Sequence, residues 1–280
     1  MSFALGVAAL VGIFILASLG AARFERSLGL LSIAHAAVLG TGSYVYAISC
    51  ERGMSVPASV AFALLLTTGV GVLVAAISER IVGEDFALAT FAVQVLWFGI
   101  AANYQGLTHG MLGISGIPHV LSSSVATPAV GEAGICAFLI LLAGAAWGYI
   151  ERSPFEMTAA VVRRSGELAR TLGFSATLTR AQIGAVYGLL QGFSGVLLGS
   201  FLSFIDPTLF SANLSVVVIA IASFARRGVA GVVVGAFMIV AIPQMARLSG
   251  ASPARASYLQ MLFAGAVVCL SSGLLRRRKR

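Results

Sequence analysis

The residues able to do chemistry are sparse in this 280-residue chain: ten carboxylates, three histidines, three cysteines and a single lysine. His109 and His119 share one connection with no third ligand nearby, too little for a tetrahedral zinc site. Cys50, Cys136 and Cys269 are far apart and join no Cys-x-x-Cys or Cys/His cluster, so they read as small buried apolar side chains. A phosphate-binding loop needs Gly-x-x-x-x-Gly-Lys, and the lone lysine is Lys279, in the tail. Gly40-Thr41-Gly42 lacks the third glycine of a dinucleotide site, and neither Ser115 nor Ser194 lies in a Gly-x-Ser-x-Gly elbow. No catalytic constellation, metal site or cofactor site is expected. Work drawn from nucleotide hydrolysis must come from another polypeptide.

The elements that carry these residues are apolar. Apolar residues make up 59% of the chain and charged residues 10%, against about 45–50% and about 25% in soluble domains. That excludes a soluble enzyme. The formal charge of +8 does not point to nucleic acid, because no polar surface interleaves basic and aromatic residues, and Arg276-Arg277-Arg278-Lys279-Arg280 follows an apolar run directly.

Runs long enough to cross a hydrocarbon core give nine candidate segments: 3–21, 28–49, 56–78, 86–103, 129–150, 180–203, 213–225, 228–246 and 257–275. The first exceeds a signal-peptide core and reads as a retained span. The seventh is too short to cross unaided and is expected to be tilted or re-entrant. A cytoplasmic C-terminus places fifteen Arg and Lys inside and three outside, namely Arg52, Arg247 and Arg255, which sets an outside N-terminus.

Glu25, Glu51, Glu79, Glu84, Asp85, Glu132, Glu151, Glu156, Glu167 and Asp206 all fall in connections or at segment ends. A proton-driven carrier needs ionisable groups within the membrane, so their placement weighs against one. His35 stands alone as an ionisable side chain inside a segment. It either lines a path or pairs with a neighbouring helix, and the pairing role is favoured. In the sixth segment Gly184, Gly188, Gly192, Gly195 and Gly199 present a small-residue face suited to close packing or to sliding, packing being favoured. Gly29-Leu30-Leu31 with Leu39-Gly40, and Gly188-Leu189-Leu190 with Leu198-Gly199, share an offset that an internal repeat would produce.

The connection 151–179 carries Ser153-Pro154-Phe155-Glu156, which matches a capping box with proline at the first helical position, and Gly173 where a helix would stop. The spacing predicts one amphipathic helix between them, with Phe155, Ala159, Val162, Ala169 and Leu172 apolar and Glu156, Arg163, Glu167 and Arg170 on another face. Such a helix either rests on lipid or serves as a docking lever.

Several of these segments resemble the permease subunits of branched-chain amino acid ABC importers. Leu30 to Tyr44 is similar to the family's Ser-Leu-Gly-His-Ala-Ala stretch ending in Gly-Ala-Tyr. Arg80, Gly83, Phe86-Ala87 and Thr90 resemble its Arg-Gly-Asp-Tyr-Phe-Ala-x-x-Thr segment. Leu107-Thr108-His109-Gly110-Met111-Leu112-Gly113-Ile114-Ser115-Gly116-Ile117-Pro118 resembles its Leu-Thr-Gly-Gly-x-x-Gly-Leu-Ser-Gly-Ile-Pro, the most specific of the matches. The similarity runs on through Arg163, Ala169, Leu172-Gly173, Pro207, Phe210, Gly231, Gly235-Ala236 and Pro243. The chain departs from the pattern at Ser165-Gly166, where acidic residues are usual, and at Phe224-Ala225-Arg226-Arg227-Gly228, where a glycine-rich turn is usual.

The resemblance implies an all-α, polytopic transmembrane bundle of about eight or nine segments, residues 1–280 forming one permease domain with a cytoplasmic coupling loop at about 151–179. It implies a bacterial inner-membrane location, with a homologous second permease, two cytoplasmic ATPases and a periplasmic substrate-binding protein as partners. The expected cargo is a small neutral amino acid, leucine, isoleucine or valine. A urea or short-amide importer and a stand-alone carrier or channel are the alternatives. His35, Ser43 and Tyr44 are the candidate path residues, and Arg163, Arg164, Glu167, Leu172 and Gly173 the candidate ATPase-coupling residues.

Overall fold

The computed structural model describes residues 2–121, 128–241 and 243–244. Within them the chain is all-α apart from one two-stranded ladder. The long helices are α1 (Ser2–Leu28), α2 (His35–Glu51), α3 (Val56–Ile77), α4 (Glu84–Asn103), the one-turn α5 (Gln105–Thr108) after it, and α6 (Pro128–Arg152). Two short helices follow, α7 (Pro154–Arg164) and α8 (Gly166–Thr171), then α9 (Ala176–Leu202), α10 (Ala212–Ala222) and α11 (Val229–Ala236). Residues 5–28, 56–77, 84–103, 130–152 and 176–202 form five helices long and apolar enough to cross a membrane. At about 1.5 Å per residue, the 17 residues of α2 reach about 25 Å, and the apolar helices at 212–225 and 229–241 are shorter still. The expected ninth segment, 257–275, and the terminal basic run lie outside the described residues.

The helix α9 is the hub, packing most extensively against α3, α2 and α1. Its glycine face does the packing that the spacing favoured. A Cβ at Gly184 would stand 2.7 Å from Ala75 Cβ, and one at Gly195 would stand 3.1 Å from the Ser43 nitrogen while pressing on the Leu39 carbonyl. Without a hydrophobic drive between helices in lipid, such backbone approach supplies the dispersion contact that holds them together.

Two expected boundaries shift. The first helix runs on to Leu28 rather than ending near Ala21, because Ala22, Phe24 and Leu28 stay buried and the charges of that last stretch find partners on other elements. The second helix begins at His35, not Leu28: residues 29–34 are unwound, starting with Gly29 at φ +72°. The start of α2 is thereby lodged inside the bundle, where its first amides have no partner within their own helix. Side chains from elsewhere meet them: the Ala36 amide donates to Ser215 Oγ at 2.9 Å and the Ala37 amide to Gln94 Oε1 at 2.7 Å.

The segment 107–118 folds as a built cap rather than an open loop. A 3-10 turn at Gly110–Leu112 leads into β1 (Ile114–Ser115), which pairs antiparallel with β2 (Phe204–Ile205), and the Tyr46 hydroxyl donates to the Pro118 carbonyl at 2.8 Å. Gly113 and Gly116 take φ of +72° and +75°, which explains glycine there.

Candidate path and coupling sites

All three candidate path residues sit on α2, and its neighbours enclose each one. His35 is fully buried. Its Nδ1 lies 2.9 Å from the Tyr187 hydroxyl and its Nε2 3.2 Å from Glu25 Oε1, so both ring nitrogens have protein partners. Gln191 Nε2 completes the cluster 3.4 Å from His35 Nδ1 and 3.3 Å from the Ala17 carbonyl, leaving Gln191 Oε1 without a partner among the described residues. Ser43 is fully buried and donates to the Gly195 carbonyl, a bond between helices. Tyr44 differs. Its ring meets Trp97 and Phe210 edge-on at 5.7 and 5.9 Å, while its buried hydroxyl has no partner among the described residues.

Sequence reasoning missed the groups that organise this region. Gln94, 1% exposed, accepts from Ala37 and donates to the Phe210 carbonyl at 2.7 Å, tying α2, α4 and the turn before α10 together. Glu132, placed near a segment end, is buried in the second turn of α6, where Ser200 Oγ donates to it at 2.6 Å and His119 Nδ1 stands 3.1 Å away. Glu25, read as a connection residue, lies in the last turn of α1 against His35, so His35 is not the sole ionisable group of its helix layer. The one available signal was a neutral amide inside an apolar run, and periodicity says nothing about its partner.

An apolar cleft of about 320 Å³ opens between α1, α6 and α9, lined by Leu19, Trp147, Leu190 and Phe193 among others. Its wall is nearly all carbon and offers a zwitterion few hydrogen-bond partners.

The connection 151–179 is two helices, not one. Ser165 adopts extended backbone, φ −162° and ψ 123°, and its Oγ accepts from the Leu168 amide to start α8 afresh. The predicted capping box is absent: Ser153 Oγ donates back to the Ile150 carbonyl and Glu156 pairs with Arg23 at 2.5 Å. Pro154 does open α7, and Gly173 at φ +82° does close α8. There the Phe174 amide bonds to the Ala169 carbonyl at 2.9 Å and the Gly173 amide to the Arg170 carbonyl at 3.0 Å, a Schellman ending.

The coupling candidates divide by what they touch. Arg163 is exposed but tied to another helix: its Nη1 donates to the Arg26 carbonyl at 2.7 Å and its stem lies over Gly29. Arg164, Glu167 and Leu172 are exposed. Leu168, Phe174 and Leu178, which the spacing did not single out, are exposed with Leu172, while Val162, Ala169 and Ala176 form the small core beneath.

A profile of the family described as "Branched-chain amino acid transport system / permease component" matches residues 3–272. No curated protein and no solved structure gives a significant match.

Proposed function

We propose, from the premise that the chain belongs to the branched-chain amino acid transport permease family, that it is the membrane subunit of an ATP-driven importer. Membership makes it a multi-pass transport protein. The finer reading is that it carries leucine, isoleucine or valine, lies in a bacterial inner membrane with its C-terminus in the cytoplasm, and works with a homologous permease, two cytoplasmic ATPases and a periplasmic binding protein.

The observation that carries this reading is the second half of the connector. Leu168, Leu172, Phe174 and Leu178 stay exposed, outside the small core of Val162, Ala169 and Ala176. Exposed leucines beside Arg164 and Arg170 suit a protein partner more than water. Arg164, Glu167 and Leu172 are the proposed contacts to the ATPase. Gly173 shapes the turn that presents them. Arg163 ties the connector to α1. Of the path candidates, Tyr44 with its free hydroxyl is the proposed substrate contact, and His35 and Ser43 hold the helices around it.

The test is uptake of labelled leucine by proteoliposomes. Material purified through a tag on this chain, with the subunits that accompany it and a periplasmic extract, is expected to accumulate leucine only when ATP is supplied. Uptake by the lone polypeptide without ATP would refute the importer and support a secondary carrier or channel.

A further inference from the structure

The helix α7 is fixed to α1 at two points that lie seven residues, about two turns, apart along one face. Near its start Glu156 meets Arg23 at 2.5 Å; in its last turn Arg163 donates to the Arg26 carbonyl at 2.7 Å. Between the α6 end and α1, Glu151 adds a third tie to Arg26 at 2.6 Å. Two attachments on one face stop α7 from pivoting, so α7 and the end of α1 move as one piece.

Arg23 is the unusual member. Its side chain is only 6% exposed, on a helix long and apolar enough to cross a membrane, where a charge is retained only if something holds it. Two residues further along α1, Glu25 reaches His35, and His35 reaches Tyr187 on α9. Residues 29–34 between α1 and α2 are unwound, so the Glu25–His35 contact bridges that break. The other half of the connector, α8, leans on the start of α9 through Ala169 and Ala176, in a small core that Val162 of α7 joins, with Gly166 close under the Arg180 guanidinium. Ser165 breaks the helix between the two halves.

Resting on the importer reading above, we infer that Glu156–Arg23, backed by Arg163 on the Arg26 carbonyl, is the positioning link that hands movement of the connector to α1, and that Glu25–His35 passes it to the start of α2. Load applied to α8 reaches α7 across Ser165 and through the core they share, and its two ties to α1 make α7 carry the end of α1 with it. The His35 cluster then has to rearrange, because Glu25 rides on α1 while Tyr187 and Gln191 ride on α9. The residues of this link touch no substrate.

The experiment measures leucine transported per ATP hydrolysed in proteoliposomes holding the assembled importer. Glu156→Gln and Arg163→Gln are expected to keep ATP hydrolysis within about twofold while leucine per ATP falls about tenfold, the scale of a disrupted coupling element. The charge exchange Arg23→Glu with Glu156→Arg is expected to recover most of the ratio. A role confined to holding the fold would instead lower hydrolysis, uptake and thermal stability together. An unchanged ratio in Glu156→Gln, or that parallel decline, overturns the inference. Wild-type proteoliposomes that take up leucine without ATP give a different signature and sink the importer reading itself.

Discussion

Gly188 of α9 and Thr67 of α3 meet backbone to backbone. A Cβ on Gly188 would press on the Thr67 carbonyl oxygen and stand 2.8 Å from Thr68 Cα. No flexible side chain is there to give way, so a methyl group must part the helices. Gly188→Ala is expected to destabilise the chain by about 1–3 kcal/mol, the range for overpacked interiors. Gly69→Ala, on α3 with nothing within 4 Å among the described residues, is the tolerated control. Thermal unfolding of the two variants in detergent, followed by the fraction that remains monodisperse, distinguishes them.

Gln94→Leu removes both bonds at the junction of α2 and α4. The Ala37 amide and the Phe210 carbonyl then lose their partners inside the bundle, each worth about 1–3 kcal/mol as an unsatisfied buried group. A loss of about 2 kcal/mol or more is expected. Gln94→Glu keeps the acceptor for Ala37 but turns an oxygen toward the Phe210 carbonyl, so it should rescue only in part. Melting temperatures of the three proteins in one detergent settle the order, and wild-type behaviour of Gln94→Leu would show that α2 does not depend on this cap.

The helices and their glycine face were legible because both signals are local: an apolar run sets a length, and glycines four apart set a face. Gly173 and Pro154 were legible for the same reason, since each fixes its own backbone. What the sequence hid was pairing. Ser153 and Glu156 have the spacing of a capping box, yet Arg23, 133 residues away, takes the glutamate. A buried guanidinium next to a carboxylate outweighs a local cap on the surface. The amphipathic period also runs unbroken through Ser165, so only the extended backbone of that residue reveals two helices. His35, Gln94 and Gln191 follow the same logic: their types announce buried polar groups, and only the fold supplies the partners.

Gly173 ends α8 at φ +82°, and a Cβ there would meet nothing within 4 Å among the described residues, so the strain of a substitution is conformational. Gly173→Ala is expected to cost about 1–2 kcal/mol, the penalty of a left-handed alanine. Gly173→Asn should cost less, because asparagine tolerates that conformation. The readout is the rate of tryptic cleavage within 163–180 in membrane vesicles, expected to rise for alanine and to rise less for asparagine. Equal rates for all three would mean that α8 is held by its core contacts and not by its terminal turn.

Leu172 offers the sharpest separation of partner binding from folding. Its side chain is 56% exposed and lies outside the Val162, Ala169 and Ala176 core, so Leu172→Asp should leave the melting temperature within about a degree of wild type, as surface changes do. The same substitution puts a carboxylate in the apolar patch formed with Leu168 and Phe174, where a partner would have to bury it unpaired. If the patch seats the ATPase, recovery of that subunit through a tag on this chain should drop about tenfold or more, which corresponds to the cost of about 1.4 kcal/mol or greater. Ala169→Asp, by contrast, strikes a fully buried position and should lower stability and capture together. Full ATPase recovery with Leu172→Asp would move the docking surface away from the patch that Leu172 forms with Leu168 and Phe174.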